Sequence, residues 1–81
     1  MPRVRRENLP RALWAHLLGR MNQREISLQQ LYLLSKWLES EPEVPNEPWF
    51  KRFPEMIVCG ESELVKTFLR SGQVPAGEEV S

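Results

Sequence analysis

The chain has 81 residues, 41% of them apolar and 27% charged, and its 11 basic residues balance 11 glutamates, because it contains no aspartate. This composition allows one small folded domain and argues against disorder of the whole chain. A single cysteine, Cys59, and a single histidine, His16, exclude an intramolecular disulfide and a zinc site of clustered Cys and His ligands. Strongly apolar runs reach only about four residues, far below the length of a membrane-spanning helix. We therefore expect a reducing, cytoplasmic compartment, with no membrane, metal or cofactor involved.

Charge is distributed unevenly along the chain. Residues 1–24 hold six arginines against one glutamate, whereas residues 25–50 hold five glutamates against one lysine. The basic start predicts either an arm over residues 1–7 that binds a polyanion, or a solvated segment that pairs with the acidic middle. Organelle transit peptides are also rich in arginine and poor in acid. However, this stretch lacks serine, and its apolar positions continue into the first predicted helix.

Two amphipathic helices are predicted in the first half of the chain. The first spans about 8–23, with Asn8 as its N-cap and apolar residues at every fourth position. The second spans about 27–40 and begins at the N-cap Ser27. The short linkage between them favours an antiparallel pair. The second helix also carries Leu33 and Trp37 on the side away from its main apolar stripe, which predicts packing on two sides.

A proline-rich segment and an aromatic cluster follow the helices. Three prolines recur at every third residue between 42 and 48, a spacing typical of a stiff extended connector. Residues 49–53 place three aromatic rings around two basic residues. Large rings are needed to close the core of a small domain, so we expect a core or lid role there. The alternative is stacking against the bases of single-stranded nucleic acid.

The C-terminal third can be interpreted in two ways. Residues 56–59 are prone to form a strand, which needs a pairing partner because unpaired backbone groups are costly. Residues 62–71 can supply that partner, and the preferred interpretation is a β-hairpin over 56–71. The alternative is an all-α fold with a third helix at about 62–71. The predicted fold is thus α+β: one domain over 8–72, with an antiparallel helix pair, a short C-terminal hairpin and a flexible tail over 73–81.

The residue pattern gives no support for catalysis. His16 is the only imidazole, nothing in the sequence places it beside Cys59, and the glutamates are mostly isolated on predicted surfaces. We therefore expect a small non-catalytic protein–protein interaction module that self-associates or serves as an accessory subunit. Its candidate partner-binding residues are Leu33, Trp37, Trp49 and Phe50.

The alternative function is that of a nucleic-acid-binding regulator. Two helices followed by a hairpin are similar in layout to a winged-helix module. In this interpretation the arginines of the first third contact phosphates, and two glutamines early in the second helix face base edges. These residues are Arg3, Arg5, Arg6, Arg11, Arg20, Arg24, Gln29 and Gln30.

Overall fold

The computed structural model describes residues 2–80 and contains two helices followed by a four-stranded sheet. The first residue of the predicted arm and the last residue of the predicted tail lie outside this range. The α+β class is confirmed, although the sheet is larger than the predicted hairpin. The elements are α1 (Arg11–Asn22), α2 (Leu28–Glu39), β1 (Pro48–Arg52), β2 (Met56–Glu61), β3 (Leu64–Arg70) and β4 (Glu78–Glu79).

The second helix begins where the sequence predicts, whereas the first begins later than predicted. α2 begins after Ser27 as expected, and the Ser27 hydroxyl accepts a hydrogen bond from the Gln30 N–H at 3.2 Å. α1 begins three residues later than expected, after Pro10. Asn8 instead ends a 3-10 turn at Arg6–Asn8, where its side-chain oxygen accepts from the Arg5 N–H at 3.0 Å. Asn8 is therefore not the N-cap of α1.

The sheet runs in the order β3-β2-β1-β4. β2 and β3 form the predicted antiparallel hairpin, so residues 64–70 are a strand and the all-α alternative is wrong. The aromatic cluster was not predicted as a strand, but most of it forms β1, which pairs antiparallel with β2. Pairing with β2 is what extends this short segment, because a strand needs a neighbour for its backbone N–H and C=O groups.

One core lies between the helices and one face of the sheet. Its centre is Trp49, which is fully buried, donates its indole N–H to the Ser62 carbonyl oxygen at 2.8 Å and lies 5.8 Å from the ring of Trp37. Backbone contacts join α1 to β3 and α2 to the 3-10 turn. Side chains of both helices, Leu17 of α1 with Leu34 and Leu38 of α2, meet in this shared core.

Both ends of the described chain are attached to the domain. The Val4 N–H donates to Pro42 O at 3.0 Å, and the Val44 N–H donates to Pro2 O at 2.9 Å, so the predicted arm runs along the proline-rich connector. At the other end, the predicted flexible tail contributes β4, which pairs parallel with β1. Residues 78–79 of the predicted tail are therefore extended beside β1. Glutamates have low intrinsic strand preference, and only the contact with β1 extends them.

Candidate protein-binding surface

The residues predicted to contact a partner lie mostly inside the domain. Trp49 is fully buried and Phe50 is 8% exposed, so neither ring is available at the surface. This corrects the prediction: β1 is an inner strand of the sheet, and both of its faces are covered. Trp37 is half-buried and packs edge-on against Phe53 at 5.9 Å between ring centres. Leu33 is half-buried beside it on α2.

The predicted nucleic-acid contacts are divided between paired and unpaired groups. Arg3 pairs with Glu43 at 2.9 Å and Arg5 pairs with Glu41 at 3.0 Å, which links the basic start to the acidic middle. Arg20 lies 3.9 Å from the Glu25 carboxylate, and that carboxylate also binds another arginine. Within residues 2–80, the predicted contacts that are exposed and make no ion pair are Arg6, Arg11, Arg24 and Gln29.

Gln30 cannot face a base edge as predicted, because it is 1% exposed. Its Oε1 atom accepts from the Glu55 N–H at 3.0 Å. The Glu55 carboxylate in turn accepts from the Ser27 N–H at 2.8 Å and from the Ser27 hydroxyl at 2.6 Å. Gln30 therefore joins the start of α2 to the loop before β2, a contact between distant parts of the chain that the helical pattern alone does not reveal.

The groups with catalytic or metal-binding potential lie apart. His16 is exposed on α1, and Cys59 is half-buried on β2, where burial raises the pKa of its thiol. Across residues 2–80, no three His, Cys, Asp or Glu side chains are placed to hold a metal ion. No helix in that range is long and apolar enough to cross a membrane.

An apolar concavity on the outer side of α1 is the surface feature that the sequence analysis missed. It is a shallow, open depression with a volume of about 340 Å³, lined by Arg11, Trp14, Ala15 and Leu18. Trp14 is half-buried at its inner edge, whereas Leu18 is 47% exposed and Ala15 is exposed. A large apolar side chain exposed beside a tryptophan marks a surface that can bind another apolar group.

The sequence produces this concavity because α1 has more apolar residues than one face can bury. Leu13, Leu17 and Met21 recur every fourth residue and point into the core. Leu18 directly follows Leu17 and so points about 100° away from it on the helix. In this fold Leu17 is buried and Leu18 is 47% exposed. The consecutive Leu17–Leu18 pair was the available signal in the sequence.

The charged residue that lines the concavity is basic. Arg11 lines it and makes no ion pair within the part of the chain that the structure describes. α1 contains no carboxylate. In two other surface hollows, of about 350 and 320 Å³, the lining arginines pair with glutamates of the domain. On α2, Leu28 and Tyr32 are also exposed, at 74% and 59%, but line neither these hollows nor the concavity.

Comparison with known proteins supplies no function. The chain matches no protein-family model, and neither the curated proteins nor the solved structures contain a significant match to it.

Proposed function

We propose that this protein is a small non-catalytic interaction module that binds an acidic amphipathic helix of a partner protein in the concavity on α1. The observation that carries the proposal is the apolar lining of Trp14, Ala15 and Leu18 with the unpaired Arg11 at one end. Helix-in-groove recognition combines an apolar face with a few charged contacts of this kind.

The shape of the surface favours a helix over an extended peptide. The lining residues Arg11, Trp14, Ala15 and Leu18 are spaced i, i+3, i+4 and i+7, so the concavity runs along the helix axis. Ala15 is small, and a side chain built at the next turn, on Gly19, would meet no atom within 4 Å. A second helix can therefore approach closely, to the 8–10 Å between axes that is typical of packed helices.

Charge determines the chemistry of the partner. An apolar helix that covers the concavity removes the Arg11 guanidinium from water, and a carboxylate on that helix compensates this cost. A second copy of α1 offers no such carboxylate, because the helix contains none. These considerations favour a different, acidic chain over self-association through this surface.

The test measures binding of two synthetic helical peptides to the full chain by fluorescence anisotropy. Both peptides carry the same leucines at i, i+4 and i+7, and they differ only in having glutamates or lysines on the flanking positions. We expect the acidic peptide to bind at least about tenfold more tightly, since about 1.4 kcal/mol of charge pairing gives that ratio. We expect Leu18→Glu to abolish its binding.

Leu64→Glu is the matched control. Leu64 is 46% exposed, almost the same as Leu18, but lies at the start of β3. The register pairs it with Glu61, on the sheet face opposite the helices. We expect Leu64→Glu to bind the acidic peptide as the unsubstituted chain does. Equal binding of the two peptides, or equal loss in both variants, would contradict the proposal.

A labelled DNA duplex and a labelled single strand, titrated at low and at physiological salt, test the nucleic-acid alternative in the same assay. Tight, steeply salt-dependent binding that is lost with Arg6→Ala and Arg24→Ala would favour that alternative over the helix-binding proposal.

A further inference from the structure

The outer face of the sheet holds two buried apolar side chains that the helices do not cover. Directly opposed residues in a sheet point to the same side, so Phe50 shares a side with Cys59, and Ile57 shares it with Leu69. The helices pack on the other side, against Trp49 and its neighbours. Nevertheless, Phe50 is 8% exposed and Ile57 is 2% exposed. The Arg52 guanidinium, 5.3 Å from the Phe50 ring centre, covers part of that ring, and another segment must cover the rest of this surface.

The connection from β3 to β4 has to cross the sheet. Arg70 pairs with Met56 at one end of the sheet, whereas Glu78 pairs with Trp49 about four residues away along the strands. With about 4.8 Å between strands and 3.3 Å per residue, three strand spacings and four residues give a diagonal of about 20 Å. The path around the end of the sheet measures about 28 Å.

The connection is too short for the longer path. The Gln73 N–H donates to Arg70 O at 3.1 Å, a turn that keeps these two residues within about 7 Å. The five steps from Gln73 to Glu78 add at most about 18 Å. The connection can therefore span at most about 25 Å, which is enough for the diagonal path but too short for the path around the end of the sheet. A diagonal path on the helix side is excluded, because the packed core fills that side.

The burial pattern follows the same diagonal. A straight line from Arg70 to Glu78 crosses β2 near Ile57 and crosses β1 near Phe50, which are the two buried residues. Cys59, which lies off the line, is only half-buried. Residues 71–77, here called the strap, are therefore the cover.

We infer that the strap and β4 form a detachable cover, and that their release uncovers an apolar surface around Phe50 and Ile57 while the rest of the domain stays folded. Few contacts hold the cover in place. β4 pairs over two residues, the Val80 N–H donates to Phe50 O at 2.8 Å, and the exposed Arg52 lies 3.8 Å from the Glu79 carboxylate. Elements held by few exposed contacts open first in native proteins.

Two glycines mark the ends of the strap. Gly72 and Gly77 both have φ of +98°, which side chains rarely adopt. A side chain on Gly77 would also run into the Pro48 carbonyl oxygen, whereas the space around Gly72 is open. Gly77→Val therefore separates β4 from β1. Val74→Ser, in the middle of the strap at a side chain that is 92% exposed, is the matched control.

The path is tested by nuclear Overhauser contacts in the full chain. We expect Pro75, the half-buried residue of the strap, to show contacts to the Phe50 ring and to the Ile57 methyl groups. Contacts of Pro75 with Trp49 or Val58 on the helix side, or with no sheet residue, would overturn the inference.

Detachment is tested by hydrogen exchange and by the reaction of Cys59 with a disulfide reagent. We expect Gly77→Val to remove protection of the Val80 amide and to speed the Cys59 reaction about tenfold or more, while the Val58 amide keeps its protection. Val74→Ser should leave all three unchanged. Simultaneous loss of protection at Val58 and Val80, or an unchanged Cys59 rate with Val80 still protected, would overturn the inference.

Discussion

Replacing Gly60 with alanine is expected to destabilise the domain strongly. Gly60 lies at the irregularity of β2, opposite Trp49. A Cβ atom there would lie 2.5 Å from the Leu64 carbonyl oxygen and 2.8 Å from Cε2 of Trp49, closer than real Cβ atoms approach other atoms. Trp49 cannot retreat easily, because it is fully buried and bonded to the Ser62 carbonyl oxygen at 2.8 Å.

The expected magnitude follows from these contacts. Overpacking of a core costs about 1–3 kcal/mol, and loss of the Trp49 to Ser62 hydrogen bond adds about 1 kcal/mol. Gly60→Ala should therefore lower the free energy of unfolding by about 2–4 kcal/mol. At about 4–8 °C per kcal/mol for a domain of this size, Tm should fall by about 10–30 °C. Urea denaturation monitored by far-UV circular dichroism measures the free energy of unfolding, and a thermal scan measures Tm.

Gly19→Ala is the control for this prediction. Gly19 lies within α1, and a Cβ atom there meets nothing within 4 Å. Removing a glycine from a helix interior should raise stability by about 0.5–1 kcal/mol. A cost below about 1 kcal/mol for Gly60→Ala, or a similar loss for both variants, would refute the packing argument.

Three further predictions concern hydrogen bonds, ion pairs and ionisation. Glu55→Ala should cost about 1–2 kcal/mol in urea denaturation, because both Ser27 hydrogen bonds to the carboxylate are lost, and no loss would contradict this role. Arg5→Ala should cost only about 0.2–1 kcal/mol, since the pair with Glu41 is exposed, and the cost should vanish in 1 M salt. Burial raises the pKa of the Cys59 thiol in the folded state, so the thiol ionises at a lower pH in the unfolded chain than in the folded one. The free energy of unfolding should therefore fall as pH rises above the ordinary thiol pKa. Cys59→Ser should remove this pH dependence.

Elements whose start or pairing depends on residues close in the sequence could be predicted from the sequence. Ser27 starts α2 because its hydroxyl caps the first turn, a property of that residue and its near neighbours. The hairpin over 56–71 followed from one strand's need for a partner. In contrast, β4 depends on a distant strand, because Glu78 and Glu79 extend only beside β1.

The site residues were harder to predict because burial depends on which elements meet. Trp49 and Phe50 were named as candidate partner contacts although a core or lid role was expected for their cluster, and β1 is in fact covered on both faces. Gln30 was expected to be exposed, but it is buried and its side-chain oxygen accepts a hydrogen bond from the Glu55 N–H, 25 residues along the chain. Leu18 follows Leu17 on α1, and the helical pattern alone does not reveal that Leu17 is buried whereas Leu18 is 47% exposed.

The most direct test of the central claim is a titration of the isotope-labelled full chain with the acidic helical peptide, followed by amide and side-chain chemical shifts. The proposal predicts saturable changes centred on Arg11, Trp14, Ala15 and Leu18. Changes centred on Leu28 and Tyr32 of α2, or no saturable change, would contradict a binding site on the outer side of α1.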